Sequence, residues 1–145
     1  MKSVLISIRP EWVEKMLNDK KTIEVRKSAP KEVPFKCYIY MTQGTYKNLG
    51  LYSEDIYQNR MKVIGEFICD KVIKTCGWHI SNLKIYDKPK RLNEFYRICK
   101  NPCKPSNGKI LCLTTKSLKM NGCDGKIPLT RPPQSWQYVE ELGNE

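Results

Sequence analysis

Apolar residues recur along the first part of the chain with two different periods. Val4–Ile8 is a short apolar run rich in β-branched residues, which predicts a buried strand. From Trp12 to Leu17 the apolar residues return every three or four positions, which predicts an amphipathic helix that begins at Pro10 and packs on a sheet. Asn18 and Asp19 tolerate a positive φ, and we expect the helix to end there.

Alternation of apolar and polar residues predicts two further strands. Every second residue of Phe35–Thr42 is apolar, so one face of this strand belongs to the core. Lys62–Ile73 is the longest strand candidate, and its alternation places Glu66 on one face with Ile64 and Ile68. A carboxylate in that position needs a cationic partner or a raised pKa.

The later segments alternate between short elements and loops. Residues 82–90 predict a strand that Pro89 ends, "RLNEFYRICK" has helical spacing, and Ser135–Val139 predicts a final strand. Most of 44–60 and of 101–128 lacks a sustained period, apart from one strand in "KILCLTT". We expect a single domain over residues 1–145 of the α+β class: a closed, mostly antiparallel β-barrel of about six strands, with helices packed on its rim.

The net charge of the chain indicates what kind of partner it binds. The chain carries 26 Lys and Arg against 15 Asp and Glu, a formal net charge of +11. This excess predicts a polyanionic partner such as nucleic acid, although a generally basic surface without a specific partner is the alternative. The apolar run before Arg9 and Pro10 is too short for a signal peptide or membrane anchor, so we expect a cytoplasmic protein without a membrane partner.

Three blocks of sequence resemble a known family. The opening "ISIRPEWVEKMLNDKKTIEVRK" fits a Gly-x-Lys-x-x-Glu-x-Arg pattern at Lys21, Glu24 and Arg26, with Asp19 at the glycine position. The segments "SNLKIYDKPKRLNEFY" and "RPPQSWQYVEE" are similar to blocks of the same family. The chain therefore resembles ASCH domains, a branch of the PUA-like superfold, and in particular a bacterial and phage subgroup.

This resemblance implies a fold and two functions. The fold is a six-stranded PUA-like barrel with a cleft between the first helix and the sheet, and the first function is binding of RNA or a nucleotide, including modified nucleosides, in that cleft. The alternative follows from similarity to small bacterial amidohydrolases that deacetylate N4-acetylcytidine through a Lys-x-x-Thr-x-Arg motif. This chain has Glu24 at the threonine position of that motif.

The polar strip after the first helix supplies the candidate binding residues. In an extended strand Thr22, Glu24 and Arg26 share one face, whereas Lys21 lies on the other face unless the preceding turn frees it. Cations there suit phosphate, Glu24 suits an exocyclic amine, and Trp12 or Trp136 suits stacking on a base. The alternative is a Glu24 and Arg26 pair that only solvates an edge strand. The predicted nucleic-acid-binding residues are Arg9, Lys21, Thr22, Glu24, Arg26, Lys27, His79, Arg131, Ser135 and Trp136.

The hydrolase alternative uses a different set. Lys21, Glu24 and Glu66 are its predicted catalytic residues, with Glu66 facing Lys21 across the cleft. The alternative is that Glu66 is a core carboxylate neutralised by an arginine, or an edge residue at a bulge. His79, the one histidine, is a secondary candidate for a catalytic or base-contacting role. The alternative is that it is a hydrogen-bonded structural residue.

The cysteines raise the question of a metal. Their odd number, seven, favours free thiols or metal ligands over disulfide bridges. Four of them have a spacing that leaves both scattered thiols and a zinc site open, namely Cys99, Cys103, Cys112 and Cys123. We expect no cofactor and assign no metal ligand.

Overall fold

The computed structural model describes residues 1–44, 53–74, 76–100 and 125–143, together with the backbone of 109–111 and 118–120. Its helices are α1 (Pro10–Leu17) and α2 (Glu54–Gln58), and a 3₁₀ turn spans Leu92–Glu94. The strands in chain order are β1 (Lys2–Ile8), β2 (Ile23–Val25), β3 (Phe35–Met41), β4 (Lys62–Ile73), β5 (Gly77–Lys90), β6 (Tyr96–Ile98), β7 (Lys109–Leu111), β8 (Leu118–Met120), β9 (Lys126–Pro128) and β10 (Trp136–Val139).

Six strands form one mixed sheet in the order β10-β1-β3-β4-β5-β2. β1 and β3 run parallel, and every other neighbouring pair in this sheet is antiparallel. The strands β6 with β9, and β7 with β8, form two small separate sheets.

The expected closed α+β barrel is wrong. The sheet is mixed and stays open between its edge strands β2 and β10, and the described residues are mainly strand with two short helices. The physical reason lies in the edges: β2 is three residues long and β10 four, so the backbone groups available to close a ladder between them are few. Side chains bridge this gap instead.

The core lies on both faces of the sheet. On the first face α1 and α2 insert Val13, Met16 and Ile56 against the odd-numbered residues of β3, beginning with Phe35. On the second face Phe95 and other apolar residues from the end of the chain pack against the even-numbered tyrosines of β3. Because central strands are buried on both faces, β1 reads as the continuous apolar run seen in the sequence.

Several predicted elements are confirmed and others are wrong: α2 lies in a stretch expected to be a loop, and β5 continues through Pro89 to Lys90. α1 begins at Pro10, and Asp19 follows it with φ of 55°. The predicted helix over "RLNEFYRICK" is instead a 3₁₀ turn followed by β6, which pairs with β9 through contacts such as Arg97 opposite Ile127. Phe95 and Cys99 are four residues apart and share a face in a helix and in a strand alike, so they fit both patterns, and pairing with a distant strand decided the outcome. Within the described ranges, neither α-helix is long and apolar enough to cross a bilayer.

Candidate nucleic-acid interface

The turn after α1 determines where Lys21 points. Asp19 adopts a left-handed conformation, and the backbone N–H groups of Lys20 and Lys21 both donate to the carbonyl oxygen of Lys15, at 2.9 and 3.1 Å. These bonds satisfy a carbonyl at the helix end and keep Lys21 out of β2. The lysine is therefore free of strand alternation, and its ammonium reaches the side chain of Glu24.

Glu24 is a buried carboxylate held between two cations. Its exposure is 6%, and on β2 it lies opposite Trp78 of β5, which is fully buried. Glu24 Oε1 accepts from Arg26 Nε at 3.1 Å and lies 3.0 Å from Arg26 Nη2. Lys21 Nζ is 3.1 Å from Glu24 Oε2, but without hydrogen-bond geometry, so this contact is an ion pair only. These ion pairs offset the cost of burying the carboxylate.

Arg26 bridges the open side of the sheet. Its Nη2 donates to the carbonyl oxygen of Ser7 in β1 at 2.7 Å, and its Nη1 donates to Ser135 Oγ, just before β10, at 3.3 Å. The hydroxyl of Ser7 in turn donates to the carbonyl oxygen of Pro133 at 2.6 Å. The sheet therefore curls until β2 faces the β1–β10 edge, and a guanidinium occupies the place where strand pairing would close a barrel.

Two tryptophans complete this bridge through Ser28. Trp136 Nε1 donates to Ser28 Oγ at 3.1 Å, and Trp78 Nε1 donates to the Ser28 carbonyl oxygen at 3.3 Å. The two indole rings meet edge to face with centroids 5.8 Å apart. Trp136 is thus half-buried and held in place within the fold. Sequence reasoning missed both Ser7 and Ser28, because neither carries a motif.

A cavity of about 350 Å³ lies on the helix side of Lys21. We call it the α1–β2 groove; its lining residues are Trp12, Lys15, Lys20, Lys21, Thr22 and Ile23. Trp12 is 40% exposed, and the ammonium groups of Lys15 and Lys21 lie 4.5 and 5.2 Å from its ring centroid. The groove thus combines an accessible aromatic ring with three lysines.

The other predicted binding residues are dispersed. Arg9 caps the start of α1 through its carbonyl oxygen, and its side chain is exposed, as are those of Lys27 and Arg131. His79 lies beside Trp78 on β5 and hence on the opposite face from Glu24, where its Nδ1 is 2.6 Å from Asp70 Oδ1. The hydrogen bond from His79 lowers the pKa of Asp70. The structure does not bring His79 to the groove.

Glu66 is also absent from the groove. Its carboxylate lies 3.3 Å from Lys36 Nζ and accepts a hydrogen bond from Tyr86 at 2.8 Å, on the second face of the sheet. The expected shared face with Ile64 is wrong because the β3–β4 register shifts between Ile39 and Tyr40, which leaves Ile64 unpaired and turns it into the other core. The predicted catalytic set of Lys21, Glu24 and Glu66 is therefore not assembled.

Some of the cysteines are buried thiols, and others lie outside the residues that the structure describes. Cys37 and Cys69 are buried free thiols, as expected from their strand positions, and burial raises the pKa of both. Cys99 is buried as well. The other three members of the proposed zinc set, Cys103, Cys112 and Cys123, lie outside the described residues, so this zinc site stays a hypothesis.

Comparison with protein-family models, with curated proteins and with solved structures found no match to this chain. The resemblance to ASCH domains stays a prediction.

Proposed function

We propose that this chain is an ASCH-like module that binds RNA or a nucleotide and recognises a nucleobase, modified or unmodified, in the α1–β2 groove. The observation that carries the proposal is the exposed ring of Trp12 with three lysines around it in one cavity. Its volume of about 350 Å³ falls within the common range for ligand pockets, about 300–1,000 Å³.

Each part of the groove suits one part of a nucleotide. A base stacks on an aromatic ring with an energy of about 1–3 kcal/mol, and Trp12 has the accessible ring for this contact. Lys15 and Lys20 are exposed and supply charge for phosphate, while the Thr22 hydroxyl offers both a donor and an acceptor to a base edge or ribose.

Glu24 and Arg26 do not line the α1–β2 groove but hold its residues in place. With an exposure of 6%, Glu24 is too buried to meet an exocyclic amine directly, and it acts by fixing the ammonium of Lys21 at the edge of the groove. Arg26 directs all three of its nitrogens at protein acceptors. Both are positioning residues in this proposal, and such preorganisation lowers the entropy cost of binding.

The hydrolase alternative has no comparable support. It requires Lys21 and a second carboxylate at one reacting carbonyl, but Lys21 is ion-paired to a buried Glu24, and Glu66 lies on the other face of the sheet. Incubation with N4-acetylcytidine should therefore yield no cytidine by chromatography. Release of cytidine that Lys21→Ala abolishes would establish the hydrolase instead.

The binding proposal is tested by fluorescence anisotropy with a labelled ten-nucleotide oligouridylate at several salt concentrations. Trp12→Leu should weaken binding about 5- to 150-fold, the equivalent of one lost stacking contact. Lys20→Gln should weaken binding and lower the slope of log affinity against log salt by about 1. Lys62→Gln is the charge-matched control, because Lys62 is exposed and does not line the groove. Variants at Trp12 and Lys20 that bind like the control would refute the proposal.

A further inference from the structure

The second face of the sheet carries a larger cavity, of about 490 Å³. We call it the β5 groove; it is lined by Lys36, Tyr38, Glu66, Leu142, Gly143 and the β5 residues 84–88 and 90. Tyr38 belongs to the second-face core, whereas α1 packs on the first face. The β5 groove and the α1–β2 groove therefore lie on opposite faces of the sheet.

A closed network of polar groups forms the floor of the β5 groove. Lys36 Nζ donates to Glu141 Oε1 at 2.9 Å and lies 3.3 Å from Glu66 Oε2, and Tyr86 donates to the other Glu66 oxygen at 2.8 Å. The Leu142 N–H donates to the hydroxyl oxygen of Tyr38 at 3.0 Å. The floor thus sets two carboxylates against the single ammonium of Lys36, a net charge of −1, and this network holds Glu141 and Leu142 against the sheet.

An irregular insertion of several residues in β5 turns its residues toward this cavity. Val63 pairs with Lys90 and Gly65 pairs with Ile85, so the four residues 86–89 of β5 face the single β4 residue between those two. In a regular strand Tyr86 and Asp87 would point to opposite faces, but both line the groove here. A Cβ on Gly65 would overlap the carbonyl oxygen of Lys84, so this approach of β5 requires glycine.

The wall of the groove carries an excess of positive charge. Lys84 and Lys88 are exposed, and neither forms an ion pair within the described part of the chain. Lys90 lies 5.6 Å from the centroid of the Tyr86 ring. Asp87 is the single acidic residue of the wall, since Glu66 is engaged by the floor. Three lysines therefore face one carboxylate along seven residues of this strand, and the wall remains more positive than the floor is negative.

We propose that the β5 groove is a second binding site, which takes the phosphate backbone of a single-stranded nucleic acid on Lys84, Lys88 and Lys90. Lysine acts on phosphate as a point charge and needs no particular base. The groove has no exposed ring for a base, because Tyr38 is 1% exposed and Tyr86 is half-buried with its hydroxyl bound to Glu66. Backbone contact without base selection is the chemistry that remains.

This inference does not depend on the proposed function of the α1–β2 groove. The two grooves share no lining residue, so each is testable in the absence of the other. If both bind, one strand that crosses an edge of the sheet, or two separate strands, can occupy them.

Charge reversal at the two exposed lysines tests the proposal. Lys84→Glu/Lys88→Glu should weaken binding of the labelled ten-nucleotide oligouridylate at least tenfold and lower the salt slope by about 2. Lys2→Glu/Lys31→Glu changes the net charge equally at exposed residues that line neither groove. Equal losses from the two double variants would overturn the site, because net charge alone would then explain them.

Three further measurements separate the alternatives. Lys84→Glu/Lys88→Glu is first combined with Trp12→Leu. If the double charge reversal lowers the affinity for the oligouridylate by the same factor in that background, the β5 groove is an independent site; if it no longer lowers the affinity, the proposal is overturned. Competition by inorganic phosphate or uridine monophosphate should be weak; competition equal to that of the oligonucleotide, at equal phosphate concentration, overturns the backbone assignment. Lys90→Gln provides a milder variant, and the urea midpoint of each variant shows that the fold is intact.

Discussion

Replacing Arg26 with methionine removes the side chain that joins the two edges of the sheet. The guanidinium donates to Glu24 of β2, to the Ser7 carbonyl oxygen of β1 and to Ser135 beside β10. Its side chain is 15% exposed and that of Glu24 is 8% exposed. Methionine keeps much of the volume but leaves the carboxylate of Glu24 with a single cation.

The magnitude follows from the burial of that carboxylate. Breaking one side of a buried ion pair costs about 3–5 kcal/mol, mainly because a charge remains without compensation. Lys21 still lies 3.1 Å from the second oxygen of Glu24, which places the expected loss at the lower end, about 3 kcal/mol. For a chain of this length a loss of that size lowers Tm by about 6–12 °C.

Urea unfolding of Arg26→Met, followed by tryptophan fluorescence, measures this loss directly. Lys27→Met is the matched control, because Lys27 is the exposed next residue and its replacement should change stability by less than about 0.5 kcal/mol. The double variant Arg26→Met/Glu24→Leu should recover most of the loss, since it removes the buried charge together with its partner. An Arg26→Met variant as stable as Lys27→Met, or a double variant less stable than the single one, would refute the reasoning.

Two further predictions concern the second face of the sheet. Gly65→Ala should cost about 1–3 kcal/mol in urea unfolding, because its Cβ would overlap the backbone of β5, whereas Gly143→Ala, with open space around it, should be neutral. The Lys36–Glu141 hydrogen bond lowers the pKa of Glu141 from its ordinary 4.5 and raises that of Lys36 from 10.5, so its stabilisation is present between those pH values. It is lost as the pH falls through the lowered pKa of Glu141 or rises through the raised pKa of Lys36. Urea unfolding at pH 3, 7 and 12 gives the free energy of unfolding of each chain. Relative to pH 7, Glu141→Gln should lose less of that free energy at pH 3 and at pH 12 than the unmodified chain does. Equal losses in the two chains would contradict the assignment of this stabilisation to the Lys36–Glu141 hydrogen bond.

The sequence was sufficient for local elements and insufficient for their pairing. The start of α1 and the left-handed turn at Asp19 depend on residues near one another, and the structure confirms both. The parallel pairing of β1 with β3 and the open edge next to β2 depend on contacts between distant segments, for which the pattern of apolar residues has no signal. The predicted helix beyond Arg91 failed for the same reason, because β9 supplied a pairing partner from about 30 residues away.

The candidate site shows the same contrast between local contacts, which the sequence predicts, and contacts between distant segments, which it does not. The contact of Glu24 with Arg26 follows from two residues on one strand face, and the contact with Lys21 follows from the turn that frees it. Ser7 and Ser135 lie 19 and 109 positions from Arg26, so no local pattern could place them beside it. Glu66 was assigned to the wrong face because one bulge at Ile64 reverses the alternation beyond it.

Pairing, more than number, determines which cations of this basic chain are available to a ligand. Lys21, Arg26 and Lys36 each hold a carboxylate that is largely shielded from water, so their charge stabilises the fold. Lys20 and Lys84 are exposed at the edge of a cavity without an ion pair among the described residues. Neutral substitutions in the first group should therefore change the free energy of unfolding, and those in the second group should change affinity and its salt dependence. A net charge of +11 suggests a polyanionic partner, and this division between paired and unpaired cations is what selects the two grooves proposed as its binding surfaces.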